Sequence, residues 1–187
     1  MRCKRSVLWS LFALWSLFAF VSAENQCIIL AEFHDDTSQE QLWHHACGEG
    51  WGGAVDCCTW NTRIRCDSTG QVTALNLAGC GIKGQIGKLL SIPTLVNVSL
   101  DSNELYGNLP TDLTHSAALR SLSAYGNKLS GGLSALKPLT SLNLLDLHFN
   151  SFSGMLPHFA EAIHLSYLSL ANNMFSGIIP ATWKALV

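Results

Sequence analysis

The sequence has few charged residues. Asp, Glu, Lys and Arg make up 13% of its 187 residues, and the formal net charge is −2. Without Arg2, Lys4 and Arg5 near the N-terminus, eight Lys and Arg remain against thirteen Asp and Glu, a net charge of −5. A domain that binds nucleic acid carries a clustered basic patch. The composition therefore excludes nucleic acid as a partner.

The sequence also lacks an apolar run long enough to span a bilayer. The longest run, from Val7 to Val21, is shorter than the ~20 residues that a spanning helix needs. Cations precede this run and Ser22-Ala23 follow it, which is the layout of a secretory signal peptide. We predict a signal peptide at residues 1–23, cleaved after Ala23. The alternative is a signal anchor that stays in the membrane.

Zinc-ligand spacing is absent from the cysteine pattern. Outside the predicted signal peptide the cysteines are Cys27, Cys47, Cys57, Cys58, Cys66 and Cys80. An even number of cysteines in a secreted chain predicts disulfides. A metal site built from Cys47 with His44 and His45 is the alternative, but this run does not match the spacing of zinc ligands. We therefore predict no metal and no cofactor.

The sequence does contain an internal repeat. Segments that start at Val72, Leu95, Leu119, Leu142 and Leu165 approximate L-x-x-L-x-L-x-x-N-x-L-x-G-x-I/L-P, with starts 23, 24, 23 and 23 residues apart. This is the period of leucine-rich repeats. One repeat cannot bury its apolar side alone, so the copies must stack. We predict an α/β solenoid over residues 71–187, a right-handed superhelix with a parallel concave sheet and five repeats, the last incomplete.

Residues 24–70 do not repeat and are predicted to form an N-terminal cap. Cys27–Phe33 reads as a short helix, Asp35–Ser38 as a turn or helix N-cap, and Gln39–Trp43 as a second helix. Arg63–Asp67 reads as part of a hairpin tied by a disulfide. Without a cap, the first repeat would leave an open sheet edge in water.

The segment Asp56–Leu77 reads D-C-C-T-W-x₅-C-D-x-x-G-x-V-x-x-L-x-L. It resembles the cap of plant-type extracellular leucine-rich repeat proteins, which include polygalacturonase inhibitors, receptor-like proteins and receptor-kinase ectodomains. Similar repeats occur on surface antigens of unicellular eukaryotes. The resemblance implies a secreted or cell-surface location, with membrane contact only through a C-terminal anchor outside this sequence. It also implies two disulfides, Cys27–Cys57 and Cys58–Cys66.

Two cysteines depart from that family pattern. Cys80 stands where the other repeats carry Asn, a position that also accepts Cys. It is therefore either a buried thiol or the partner of Cys47, and the sequence leaves both possibilities open.

Outward-facing positions of the concave strands carry the predicted ligand site. Alternate residues of a strand point to opposite faces, so the residues between the buried leucines face outwards. Exposed aromatics beside a carboxylate and an imidazole are typical contact residues. We predict ligand binding by Asp101, Tyr125, Leu144, Asp146, His148, Phe149 and Tyr167. Asn97-Val98-Ser99 predicts glycosylation of Asn97 on the same face.

The function predicted from these features is recognition and not catalysis. Asp146 and His148 lie two residues apart near Ser123 and Ser169, but same-face neighbours on a strand are ~7 Å apart. An open sheet also lacks the sheltered cleft of a catalytic triad. We predict a module that binds a protein, a peptide or a cell-wall polysaccharide. The competing hypotheses are a structural surface-coat protein and a truncated fragment of a receptor-like protein or receptor kinase.

Overall fold

A computed structural model describes residues 23–37, 43, 47, 51, 56–60, 62–159 and 164–186. The predicted signal peptide lies outside these residues except for Ala23. The predicted second cap helix, Gln39–Trp43, also lies outside them except for Trp43. No helix in this part of the chain has the length and hydropathy needed to cross a bilayer.

Among the described residues, one α-helix in the cap is followed by short strands. Helix α1 is Ala23–Thr37. The strands are β1 (Ile64–Cys66), β2 (Val72–Asn76), β3 (Asn97–Ser99), β4 (Tyr106–Asn108), β5 (Ser121–Ser123), β6 (Lys128–Gly131), β7 (Leu144–Asp146), β8 (Ser151–Met155), β9 (Tyr167–Ser169) and β10 (Met174–Ser176). Short 3₁₀ helices lie at Cys57–Thr59, Leu89–Ser91, Thr114–Ser116, Ser134–Leu136 and Ala181–Leu186.

The concave sheet has the strand order β1-β2-β3-β5-β7-β9. Its five repeat strands are parallel and pair in register, so that Leu75, Val98, Leu122 and Leu145 lie side by side with Leu168. The first four of these are buried, as the alternation of inward and outward residues requires. The predicted parallel-sheet solenoid is confirmed.

A second parallel sheet, which the repeat pattern did not predict, joins β10, β8, β6 and β4. The glycine of the repeat motif belongs to this sheet or directly follows it: Gly107, Gly131, Gly154 and Gly177 have φ between +81° and +86°. A side chain is strained in this left-handed region, and glycine is not.

A column of asparagines closes the turn between the two sheets. Asn103 Nδ2 donates to the carbonyls of Leu77 and Leu100, both at 2.8 Å, while its Oδ1 accepts from the N–H groups of Cys80 and Ile82, both at 3.0 Å. Asn127, Asn150 and Asn173 repeat this arrangement. These amides satisfy backbone groups that the turn would otherwise leave unpaired, so their role is structural.

The cap helix is longer than the sequence predicted. Helix α1 continues through Asp35 and Asp36 to Thr37, so the predicted turn at this position is wrong. Leu30 and Phe33 are buried, and this burial holds the helix against the first repeat. At its C-terminal end the Thr37 hydroxyl donates to the Phe33 carbonyl at 2.7 Å. The acidic pair, although typical of a helix start, lies in the last turn.

Covalent and polar contacts attach the cap to the first repeat. The disulfides are Cys27–Cys57, Cys58–Cys66 and Cys47–Cys80. The first two have the pairing that the resemblance implies, and the third decides the question left open for Cys80. The predicted hairpin is also present, since β1 pairs antiparallel with β2. Fully buried Gln26 accepts from the Val72 N–H at 2.7 Å.

Candidate functional site

A groove of about 970 Å³ lies on the concave sheet. Its floor contains outward residues of the repeat strands, among them Ala74, Asn76, Asn97, Ser99, Ser121, Ser123, Leu144, Asp146 and Tyr167. Its wall at the N-terminal end is formed by the cap residues Thr62, Arg63 and Arg65. The groove therefore begins at the cap and crosses the strands towards the fifth repeat.

The cap wall gives this end of the groove a positive charge. Arg63 Nη1 donates to the Asn76 carbonyl at 3.1 Å, which fixes the guanidinium against strand β2. Arg65 lies on β1 with an exposed side chain. Sequence analysis missed both arginines as site residues because they lie in the cap. The alternation along β1 could have found them, since it places Arg63 and Arg65 on the same face as the outward column.

A carboxylate organises the hydroxyl groups at the middle of the sheet. Asp101 accepts from the Ser123 hydroxyl at 2.5 Å, from the Ser99 hydroxyl at 2.9 Å and from the Tyr125 N–H at 3.2 Å. These hydrogen bonds connect residues of the second and third repeats. Asp101 therefore positions its neighbours and does not line the groove.

Asp146 and His148 are in direct side-chain contact, which the ~7 Å spacing of same-face neighbours on a strand did not predict. His148 Nδ1 lies 2.5 Å from Asp146 Oδ1, and the His148 N–H reaches the same oxygen at 3.3 Å. His148 lies two residues beyond the end of β7 at Asp146, and its side chain reaches back to the carboxylate. The Tyr167 hydroxyl donates to the other carboxylate oxygen at 3.4 Å.

Three rings form an aromatic shelf beside this carboxylate: Tyr125, His148 and Phe149. The Tyr125 and His148 rings stack with centroids 4.6 Å apart and an interplanar angle of 8°. The ring centroids of Phe149 and His148 lie 5.2 Å apart with an interplanar angle of 61°, and Phe149 is 58% exposed. The shelf is joined to the groove through Asp146, which also contacts the groove.

The predicted site residues therefore occupy adjoining places. Leu144, Asp146 and Tyr167 line the groove, and Tyr125, His148 and Phe149 form the shelf. Asp101 supports both places, because it bonds Ser123 of the groove and the backbone of Tyr125. Asn97 is exposed and lines the groove.

The arrangement does not form a nucleophilic triad. The Ser123 hydroxyl donates to Asp101, not to His148. No group of three or more His, Cys, Asp or Glu residues suited to a metal ion exists among the described residues. Cys47, which a metal site would need as a ligand, is disulfide-bonded. The chemistry on this face is that of non-covalent contact.

Comparison with known proteins finds similarity to leucine-rich repeat proteins. The family model described as Leucine Rich Repeat matches residues 164–186. Phytosulfokine receptor 1 of Arabidopsis thaliana is 30% identical over 155 residues, which cover 77% of this chain and 14% of the receptor. The chain is therefore similar to plant leucine-rich repeat receptors. It spans only 7 to 15% of the length of the curated relatives that it matches.

Solved leucine-rich repeat structures share the fold. A plant ice-binding protein superposes with a TM-score of 0.73 at 25% identity, over 87% of this chain and 52% of that protein. The plant peptide hormone receptor RGFR1, solved in complex with RGF2, gives a TM-score of 0.62 at 27% identity, over 69% of this chain and 20% of the receptor. Further structural neighbours are receptor ectodomains, and such leucine-rich repeat domains are binding modules and not enzymes.

Proposed function

We propose that the chain is a recognition module, secreted or displayed at the cell surface, that binds a peptide through its concave groove. The observation that carries the proposal is the groove itself, which joins an arginine wall in the cap to a carboxylate and aromatic side chains in the fourth and fifth repeats. A peptide can match both ends with its own side chains.

The chemistry of the groove favours a charged peptide over a neutral cell-wall polysaccharide. Its walls and floor combine Arg65, Leu144, Asp146 and Tyr167, so ion pairing, apolar contact and hydrogen bonding are available along one path. A relative with the same fold, RGFR1, is described as a peptide hormone receptor. A neutral polysaccharide would use the exposed tyrosine but would leave the arginine without a charged partner.

A structural coat protein accounts for the groove less well than a peptide receptor does. A structural role in a surface coat does not explain why the groove has arginines at one end and a carboxylate towards the other. A fragment of a longer receptor-like protein or receptor kinase is compatible with peptide binding, because the groove lies within the described cap and repeats.

Hydrogen–deuterium exchange tests the proposal. Peptides of about twelve residues, long enough to cross the parallel strands, are selected from a random library displayed on phage. A synthetic copy of a selected peptide is then added to the protein. We expect slower exchange in β1, β7 and β9 and unchanged exchange in the second sheet, at β4 and β6. Protection confined to the second sheet would show that the groove is not the binding site.

A further inference from the structure

Each repeat has a residue in the left-handed backbone region three positions after the end of the concave strand. The residues are Gly79, Ser102, Gly126, Phe149 and Asn172, with φ of 64°, 54°, 66°, 51° and 54°. Hydrogen bonds from the neighbouring repeats fix this conformation in the fourth repeat: Phe149 N–H donates to the Ala171 carbonyl at 3.0 Å, and Asn127 N–H donates to the Phe149 carbonyl at 3.1 Å. The fold therefore imposes the conformation, whichever side chain is present.

Phenylalanine is an unfavourable residue for that position. Glycine and asparagine tolerate the left-handed region, whereas a bulky side chain there is strained. Such strain persists where another interaction compensates for it, and it is concentrated at functional sites. Burial does not compensate here, because Phe149 is 58% exposed and its described ring contact is with His148 alone. The ring is therefore available to a molecule outside the chain.

The surroundings of Phe149 favour a cation as that molecule. The aromatic shelf offers the faces of Phe149 and the stacked Tyr125–His148 pair, and the Asp146 carboxylate adjoins it. Aromatic faces and a carboxylate together attract an ammonium or guanidinium group. Lys128, next in sequence to the asparagine of the third repeat, does not fill this role, because its ammonium is paired with Glu104 at 2.7 Å.

We propose that the aromatic shelf binds a lysine or arginine side chain of the peptide that occupies the groove, an inference that rests on the proposed function. Asp146 contacts both the groove and the shelf, so one extended peptide can reach both. Strand β7 lies four strands from β1, about 19 Å at the usual strand spacing. An extended peptide covers this distance in about six residues. The cation therefore lies about six residues from the part of the peptide at the arginine wall.

Parallel peptide selections on three proteins test the proposal. The proteins are the wild type, Phe149→Asn and the control Tyr106→Asn, which removes an aromatic residue of 45% exposure from the second sheet. The probe is the same random phage library of peptides. We expect lysine or arginine to be enriched at one position in the wild-type and Tyr106→Asn pools and not in the Phe149→Asn pool. Replacement of that cation by glutamine in a synthetic peptide should weaken binding to the wild type about tenfold and leave binding to Phe149→Asn unchanged.

Stability measurements distinguish direct contact of Phe149 with the peptide from a structural role of Phe149 in the fold. Asparagine is the residue of the fifth repeat at this position, so Phe149→Asn should keep or raise the melting temperature while it loses the cation preference. Phe149→Tyr, which retains an aromatic face, should keep that preference. Equal cation frequencies in all three pools, or enrichment of apolar residues instead, would overturn the proposal even if the groove binds peptides. Failure to select any peptide on the wild type would overturn the proposed function and this inference together.

Discussion

Cys47 and Cys80 are joined by a disulfide that fastens the cap to the first repeat, with their Cα atoms 5.6 Å apart. Cys80 occupies the position at which later repeats place the asparagine that bonds the backbone of the turn. In the first repeat this position therefore forms a covalent link to the cap.

Removal of this link should destabilise the protein more than removal of Cys58–Cys66, the disulfide that closes the shortest loop of the three described. The Cys47–Cys80 bond closes a loop with a sequence separation of 33, and Cys58–Cys66 one of 8. Loop-closure entropy then predicts a loss of unfolding free energy of about 4 kcal/mol for the double Cys47/Cys80→Ser variant and about 2.5 kcal/mol for the double Cys58/Cys66→Ser variant. Chemical denaturation of both variants measures the difference. A larger loss for the Cys58/Cys66 variant would contradict this ranking.

Gly84→Ala should loosen the cap. A Cβ added to Gly84 would lie 2.6 Å from Thr37 Cγ2, at the C-terminal end of helix α1. Overpacking of this kind costs about 1–3 kcal/mol of unfolding free energy. The control is Gly87→Ala, whose nearest neighbour would be Pro110 Cγ at 3.9 Å. Thr37→Ser removes the clashing methyl group and keeps the hydroxyl, so it should rescue Gly84→Ala. No rescue would show that the clash is not the cause.

Acid should remove a stabilising charge from the hairpin turn of the cap. The Thr69 hydroxyl, and then the N–H groups of Gln71 and Thr69, hold the pKa of Asp67 below its ordinary value. Since the pKa is lower in the folded state, the carboxylate stabilises the fold above the unfolded pKa of about 3.9. That contribution is lost as the pH falls through the folded pKa.

Thermal melts of the wild type and Asp67→Asn from about pH 6 to about pH 2 measure this effect. The melting temperature of the wild type should be the higher one at pH 6, and the difference should shrink towards acid. A difference that stays constant with pH would exclude the charge as its origin.

Glycosylation of Asn97 stays a prediction. Asn97 is exposed and lines the groove, so a glycan there would cover the floor near the cap and leave contact to the third, fourth and fifth repeats. Mass spectrometry of secreted protein before and after glycosidase treatment should show a mass loss on this peptide, and Ser99→Thr should retain it. An unmodified Asn97 in secreted protein would remove this constraint on the site.

The periodic part of the fold could be predicted from sequence because packing dictates it. The repeats place apolar residues, mostly leucines, at equivalent positions, and the last four add an asparagine, so strand register followed from the spacing. The second sheet was missed because its residues, such as Tyr106–Asn108, alternate too briefly to be recognised. The last turn of helix α1 was also missed, since Asp35 and Asp36 are typical of a helix start. Tertiary contact with the first repeat overrides that local preference.

The site was predicted only in part, for a similar reason. Leu144 and Tyr167, two members of the outward columns, line the groove. The contact between Asp146 and His148 depends on the conformations of their side chains, which repeat spacing does not specify. The arginine wall depends on the antiparallel pairing of β1 with β2, which brings a cap strand beside the repeats.

The most direct test compares two tyrosines of similar exposure on different faces. Tyr167 is 48% exposed and lines the groove, whereas Tyr106 is 45% exposed and lies on the second sheet. Affinity for one selected synthetic peptide is measured for Tyr167→Ala and Tyr106→Ala, together with the melting temperature of each variant. We expect Tyr167→Ala to weaken binding at least about tenfold, Tyr106→Ala to leave it unchanged, and both melting temperatures to stay near that of the wild type. Loss of affinity in Tyr106→Ala with full affinity in Tyr167→Ala would contradict binding through the concave groove.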